Sequence, residues 1–412
     1  MPTKRGWAAF AAGLGLWATA RLIGSRDLHM IATGVAALPF LAILFVRWSN
    51  PRLDVHRHLS AVRGFPGSRV HTTLTLENRG RITTSFLLLE DTLPSALGKP
   101  ARMVVTGVPP RCTQKVSYTI HCRHRGVYTV GPLVVYLSDP FGLARTRVQA
   151  GSESELIVYP EVEDIEAKGL VVQGAGTGEA AVRRLHRSAA EFYTMRAYVT
   201  GDDLRRIHWP SVARTGELMI RQDESTRRSS ATVFLDTRAA VLGPHGAPGF
   251  ERAVSMAATI GRALSRAGYS LRLGTVDTPP TSVSEEVLLE TLASTVPSRA
   301  KAVVPALTGL RNSALADTTL VVVTAPPLAT EIAVMSRVGT GFGRRLALFV
   351  YPAPLASMPV EVAAELEGRA TVARASLQRA GWDVYLIHAD GKLAETWHVT
   401  RKTKLQVTGT PS

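Results

Sequence analysis

The sequence predicts a multi-domain chain: an N-terminal transmembrane helical hairpin, an all-β sandwich domain, then an α/β doubly wound domain. Three observations predict it. Two long apolar runs open the chain, short strands punctuated by turn residues follow, and from Ala231 onward strands alternate with helices. With 412 residues the chain is too long for one ordinary core, and two or three domains are expected. Composition shifts place the boundaries at residues 1–50, 51–158, an Arg-rich segment 159–230, and 231–412.

The first apolar run covers Trp7 to Ile23 and the second Leu28 to Val46. A bilayer core takes about 20 apolar residues as helix, with a range of roughly 17 to 25. The second run contains no charge. The first carries Arg21 near its end, where the side chain can snorkel to the interface. Trp7 and Trp48 stand at the ends, where indole rings prefer the headgroup zone. Lys4 and Arg5 precede the pair, and Arg47, Arg52, Arg57 and Arg63 follow it. Positive charge on both flanks predicts a multi-pass protein of the inner (plasma) membrane with both termini cytoplasmic. Arg21 and Arg26 in the connecting loop weigh against that topology. A competing reading is a cleaved signal peptide ending at Ala18-Thr19-Ala20.

In the second segment, Val70 to Leu76 alternates with period two. Asn78-Arg79-Gly80 marks a turn. Strands are expected at Phe86 to Leu89, Met103 to Val105, Lys115 to Ile120, Val127 to Val130 and Leu133 to Leu137. Turn residues every 8 to 12 residues or so suit an antiparallel sandwich. The two cysteines, Cys112 and Cys122, flank one of these strands. Ten residues of strand separate them by roughly 33 Å, whereas a disulfide needs Cα atoms within about 7 Å. Free thiols fit a reducing compartment, and neither cysteine has zinc-site spacing.

The third segment contains Gly174-Ala175-Gly176-Thr177-Gly178 without a following Gly-Lys-Ser/Thr, so it reads as a linker and not a P-loop. Net charge is +15, yet only eight of the 48 basic residues are lysine. Arginine with abundant alanine and glycine fits a GC-rich genome, so charge alone assigns no nucleic-acid partner.

In the fourth segment, Thr232 to Leu235 reads as a strand ending at Asp236. Phe250 to Ala267 reads as a helix with Phe250, Val254, Ala257, Ile260 and Leu264 on one face. Leu271 to Val276 is a strand. Ser282 and Glu285 form a capping box that opens a further helix. Leu320 to Val323 and Leu346 to Tyr351 are continuous apolar runs, as in parallel strands buried on both faces. A long helix over Val360 to Ala380 and a strand over Val384 to Ile387 complete the alternation.

One stretch carries more than fold. Glu191 to Asp223 contains Arg196, Tyr198, Gly201, Asp202, Arg205, Ile207, Trp209, Ala213, Arg214 and Leu218 in an Arg-x-Tyr-x-x-Gly-Asp-x-x-Arg-x-Ile-x-Trp pattern. Arg125-Gly126-Val127-Tyr128, Gly131-Pro132 and Asp139-Pro140-Phe141-Gly142-Leu143 precede it. These motifs resemble the bacterial membrane proteins with domain of unknown function 58, and Val212 departs from the usual Ser or Thr. The resemblance implies that residues 231–412 are similar to a von Willebrand factor A domain. Such domains often hold a divalent metal through Asp-x-Ser-x-Ser. The matching stretch here is Asp236-Thr237-Arg238-Ala239-Ala240. Arginine and alanine replace the hydroxyl ligands a hard cation needs. The site is therefore expected to be degenerate, with Asp236 paired to Arg238 or capping its loop and no metal bound.

No catalytic residue and no cofactor is assigned. Gly201-Asp202-Asp203 suits a tight turn, Arg205 a bidentate pair with a carboxylate, and Trp209 a buried anchor. The function expected is a membrane-anchored, cytoplasm-facing interaction or assembly factor without catalytic activity. Its implied partners are the lipid bilayer, a MoxR-type AAA+ ATPase and a transglutaminase-like membrane protein, with no nucleic acid. The alternatives are a hydrolase using Asp202, Asp203 and His208, or a binder of anionic lipid or nucleic acid through the arginines.

Overall fold

The computed structural model describes residues 1–48, 52–84, 86–165, 193–198, 207, 209–223, 229–314, 318–394 and 397. The chain divides into two compact units. One comprises Met1–Glu161 with Leu289–Thr295, the other Val162–Leu288 with Val296–Ser412.

The first unit opens with helices α1 (Lys4–Ile23) and α2 (Arg26–Trp48). Gly24, left-handed at φ 74°, ends α1 by donating its amide to the Ala20 carbonyl. The two helices pack through small residues. Gly6, Gly13 and Ala20 are the buried positions of α1; Ala32, Pro39, Ala42 and Val46 are those of α2. A Cβ on Gly13 would lie 2.6 Å from the Ala36 nitrogen, so only glycine lets the backbones approach this closely. Phe10 against Phe40 and Trp17 against His29 add edge-to-face contacts. Among the described residues, α2 alone is long and apolar enough to cross a membrane, with a mean hydropathy of 2.1. The helix α1 has the length, but its glycines and Lys4, Arg5 and Arg21 dilute its apolarity.

The rest of the unit is sheet. Its strands are β1 (Leu53–Leu59), β2 (Arg63–Gly64), β3 (Arg69–Asn78), β4 (Leu87–Asp91), β5 (Ala101–Val105), β6 (Thr113–His121), β7 (Gly126–Val130), β8 (Leu133–Ser138), β9 (Arg145–Ala150) and β10 (Ser154–Val158). They form sheets of order β1-β3-β6, β2-β10-β7 and β5-β4-β8-β9. Pairing is antiparallel except between β2 and β10. The alternation in β3 sends Val70, Leu74 and Leu76 inward. Leu74 and Leu76 join Leu87, Leu89, Leu133 and Leu137 in one core shared by two sheets. Cys112 is exposed and Cys122 buried, and both are free thiols.

In the second unit, β11 (Tyr193–Ala197) and β12 (Met219–Asp223) pair antiparallel, with α3 (Trp209–Thr215) between them in sequence. A six-stranded sheet follows: β13 (Ser230–Leu235), β14 (Ser270–Thr275), β15 (Thr281–Val283), β16 (Thr318–Thr324), β17 (Arg344–Val350) and β18 (Asp383–Ile387). Its order is β15-β14-β13-β16-β17-β18, parallel except for β15. The helices are α4 (Ala239–Leu242), α5 (Pro248–Arg266), α6 (Glu285–Ser294, counted with the first unit from Leu289 on), α7 (Val304–Gly309), α8 (Ala329–Gly339) and α9 (Val360–Arg379). Phe234, Leu320, Val322 and Phe349 pack against Ile332 and Met335 of α8 and Leu377 of α9. The alternate residues Val233, Val321 and Val323 are equally buried on the face that carries α5. Both faces are covered, which is why these strands read as unbroken apolar runs. One cap differs from expectation. Ser282 lies in β15, and the hydroxyl of Ser284 accepts the Val287 amide at the start of α6.

Candidate functional site

Chain order reverses between β13 and β16, which are neighbours in the sheet with β14 and β17 on their far sides. Open α/β sheets bind ligands at such a switch point, beyond the carboxyl ends of the strands. Here that position is filled by a buried ionic network. Asp236 follows directly on β13 and is 0 % exposed; Thr324 ends β16; Glu331 sits in the first turn of α8. Arg238 lies between them at 4 % exposure.

The network leaves few lone pairs open. Arg238 Nε donates to Asp236 Oδ1 at 3.0 Å, and Arg238 Nη2 to Oδ2 at 2.7 Å. The Arg238 amide donates to Oδ1 at 3.1 Å, closing an Asx turn. The Thr324 hydroxyl donates to Oδ2 at 2.7 Å. On its other side, Arg238 Nη1 donates to Glu331 Oε1 at 2.8 Å, and Glu331 Oε2 accepts the Leu328 amide at 2.9 Å. Burial pulls the Arg238 pKa down, but the hydrogen bonds and charges of Asp236 and Glu331 outweigh it and the net shift is upward. The guanidinium stays cationic. The loop is also tied to Ser298, whose carbonyl accepts the Ala239 amide and whose hydroxyl donates to Asp277 Oδ1 at 2.9 Å.

A divalent cation does not fit these residues. Its place against the Asp236 carboxylate is taken by a fixed positive charge, and the hydroxyl ligands are absent at Arg238 and Ala240. Among the described residues no group of three or more His, Cys, Asp or Glu side chains is placed to hold a metal ion.

The family-motif residues fall elsewhere in the unit. Arg196 lies in β11, paired in register with Ile220. The half-buried Tyr198 follows, its amide donating to the Leu218 carbonyl at 2.8 Å. Ile207 is half-buried. Trp209 begins α3 and is 65 % exposed, so it is not the buried anchor expected from its size. Arg214, in the last turn of α3, is exposed. Gly201, Asp202, Asp203, Arg205 and His208 lie outside the described residues, as does the glycine-rich stretch Gly174 to Gly178. Of the earlier motif, Arg125 is buried in the first unit, where it donates to the carbonyls of Leu292, Ala293 and Thr295. Asp139 is buried too and holds its own loop. Sequence reasoning missed Thr324 and Glu331. A hydroxyl closing the apolar run of β16 was the available signal for the first; nothing local marked the second.

Residues 194–325 match the family model described as protein of unknown function DUF58. The chain carries a DUF58 domain. A relative, the uncharacterized protein YeaD of Bacillus subtilis (strain 168), is 22 % identical over 251 residues, which is 58 % of this chain. The match spans 61 % of that relative's length. Among solved structures, the CARDB domain of PF1109 from Pyrococcus furiosus, in complex with di-metal ions, aligns at 11 % identity. It covers 26 % of this chain and 93 % of its own, with a TM-score of 0.20. A β-glucosidase from Listeria innocua aligns at 12 % identity over 25 % of this chain and 16 % of its own, with a TM-score of 0.17.

Proposed function

We propose that this DUF58 protein is a membrane-anchored, metal-independent interaction or assembly factor. On this reading α1 and α2 are a transmembrane hairpin with both ends in the cytoplasm, and the six-stranded sheet belongs to a von Willebrand factor A-like domain. The observation that carries the proposal is Arg238 bound to both Asp236 oxygens at the switch point. Where a domain of this kind would recruit a cation and make docking metal-dependent, this chain supplies its own cation. The loop 236–239 is then fixed in one conformation, and partners meet a preformed surface. The exposed Trp209 and Arg214 suit recognition, since Trp and Arg are enriched at interface hot spots. The hairpin is supported by the apolarity of α2, the close approach of Gly13 to Ala36, and the basic residues flanking the pair.

The partners proposed are a MoxR-type AAA+ ATPase and a transglutaminase-like membrane protein. The test is co-purification of the detergent-solubilised full chain with a MoxR-type ATPase from the same organism. Retention of the ATPase, reduced at least tenfold by Trp209→Ala with Arg214→Ala, supports the proposal. No retention, or retention indifferent to both substitutions, counts against it.

A further inference from the structure

The motif loop Asp139-Pro140-Phe141-Gly142-Leu143 is built into the root of the helical pair. The Thr3 amide donates to the Leu143 carbonyl at 2.8 Å, and the Thr3 hydroxyl to the Gly142 carbonyl at 2.7 Å. Pro2 forms a bridge with Ala144, and the N-terminal ammonium donates to the Arg145 carbonyl at 2.7 Å. A Cβ on Gly6 would overlap the Leu143 carbonyl, so the first turn of α1 lies directly on the loop. From the other helix, Ala42 and Val46 pack on Ala144, with Leu143 alongside. The start of α1 and the end of α2 are therefore level with this loop.

The loop is rigid for a reason internal to it. Asp139, 5 % exposed, accepts the Ala144 amide on Oδ1 at 2.6 Å and the Phe141 amide on Oδ2 at 2.9 Å. Gly142 at φ 69° completes the turn. The result holds Phe141 outward at 72 % exposure. Covering a ring held out in this way removes apolar surface from water, which is favourable in proportion to the area covered. The Arg5 guanidinium comes close to Gly142, and exposed Lys4 and Arg47 lie at the start of α1 and the end of α2.

We propose that the Asp139–Leu143 loop is a lipid-contacting foot, seating Phe141 in the headgroup zone of the bilayer that α2 crosses. Phenylalanine, with Trp and Leu, supplies the apolar side of segments that lie in the membrane interface, and the lysine and arginines at the helix ends complement anionic phospholipid headgroups. This rests on the membrane-anchor reading above. The foot fixes the height and tilt of the β-rich unit on the membrane, which a flexible tether would not.

The test uses the full chain in vesicles of phosphatidylglycerol and phosphatidylcholine. Cys112→Ser removes the exposed thiol, and Cys122 is 1 % exposed. An environment-sensitive fluorophore is then placed by Phe141→Cys, by Leu38→Cys in the middle of α2, and by Val62→Cys beyond the far end of β1. The proposal predicts that the probe at 141 is quenched by lipids spin-labelled near the headgroup more than by those labelled deep in the acyl chain. It predicts the reverse order at 38 and no quenching at 62. Quenching at 38 with none at 141 overturns the foot and leaves the anchor standing. No quenching at 38 overturns the anchor, and the foot with it.

Discussion

Replacing Arg238 by alanine removes the guanidinium paired with Asp236, a carboxylate that is 0 % exposed. The variant keeps the Thr324 hydroxyl and the residue-238 amide as donors to Asp236 but deletes the three guanidinium hydrogen bonds to it and the one to Glu331. Removing one partner of a buried ion pair costs about 3–5 kcal/mol, because the remaining charge is left uncompensated. In a domain of this size each kcal/mol lowers Tm by about 2–4 °C, so a fall of roughly 6–20 °C is expected. Urea denaturation in detergent reads the second unit by tryptophan fluorescence once Trp7, Trp17, Trp48 and Trp209 are replaced by phenylalanine, leaving the buried Trp382 and Trp397. Arg238→Lys loses the fork that reaches both carboxylates and recovers only part of the stability. Arg238→Ala with Asp236→Ala removes both ends of the pair. Its cost is expected to fall short of the sum of the single costs by about 1–3 kcal/mol. The reasoning is refuted if Arg238→Ala costs less than about 1 kcal/mol, or if the single costs simply add in the double variant.

Asp139→Ala frees the amides of Phe141 and Ala144; a loss of about 1–3 kcal/mol is expected, read as a lower urea midpoint for the first unit. Burial and the nearby Asp383 raise the Tyr385 phenol to about 12. Its protonated form is therefore favoured in the fold, a contribution complete below about pH 10 and lost as pH rises through the folded value. Wild type should lose about 2 kcal/mol across that window, and Tyr385→Phe should flatten the dependence; an unchanged pH profile in the variant contradicts the assignment. Maleimide should modify Cys112 in the native protein and Cys122 only after unfolding, because burial both shields the Cys122 thiol and raises its pKa. Rapid native labelling at Cys122, read by peptide mass, would contradict the packing of its sheet.

Strands whose two faces differ in polarity were legible in advance. In β3, Val70, Leu74 and Leu76 alternate with polar partners, and the continuous runs of β16 and β17 announce burial on both faces. Phe250, Val254, Ala257, Ile260 and Leu264, placed on one face of α5 by spacing alone, are all 0 % exposed. The strands β1 and β9 were not legible. Both border their sheets, and histidines and arginines fill their outer positions, so the apolar signal falls on only two or three residues each. Edge strands gain from such charge because it discourages pairing with other chains. The antiparallel β15 was hidden for another reason: three residues are too few for a period, and Ser282 imitates a helix cap. At the site, Asp236 and Arg238 lie two residues apart and could be linked on the page. Thr324 and Glu331 come from β16 and α8, and only the sheet order brings them to the same carboxylates.

The most direct test of the central claim is a manganese titration of the wild-type full chain, counting bound ions by the electron paramagnetic resonance signal of free Mn²⁺. With Arg238 seated on Asp236, no stoichiometric binding is expected, and the signal should rise in step with the metal added. One ion bound per chain, and lost in Asp236→Asn, would mean that the arginine yields its place and that the site is a metal centre after all.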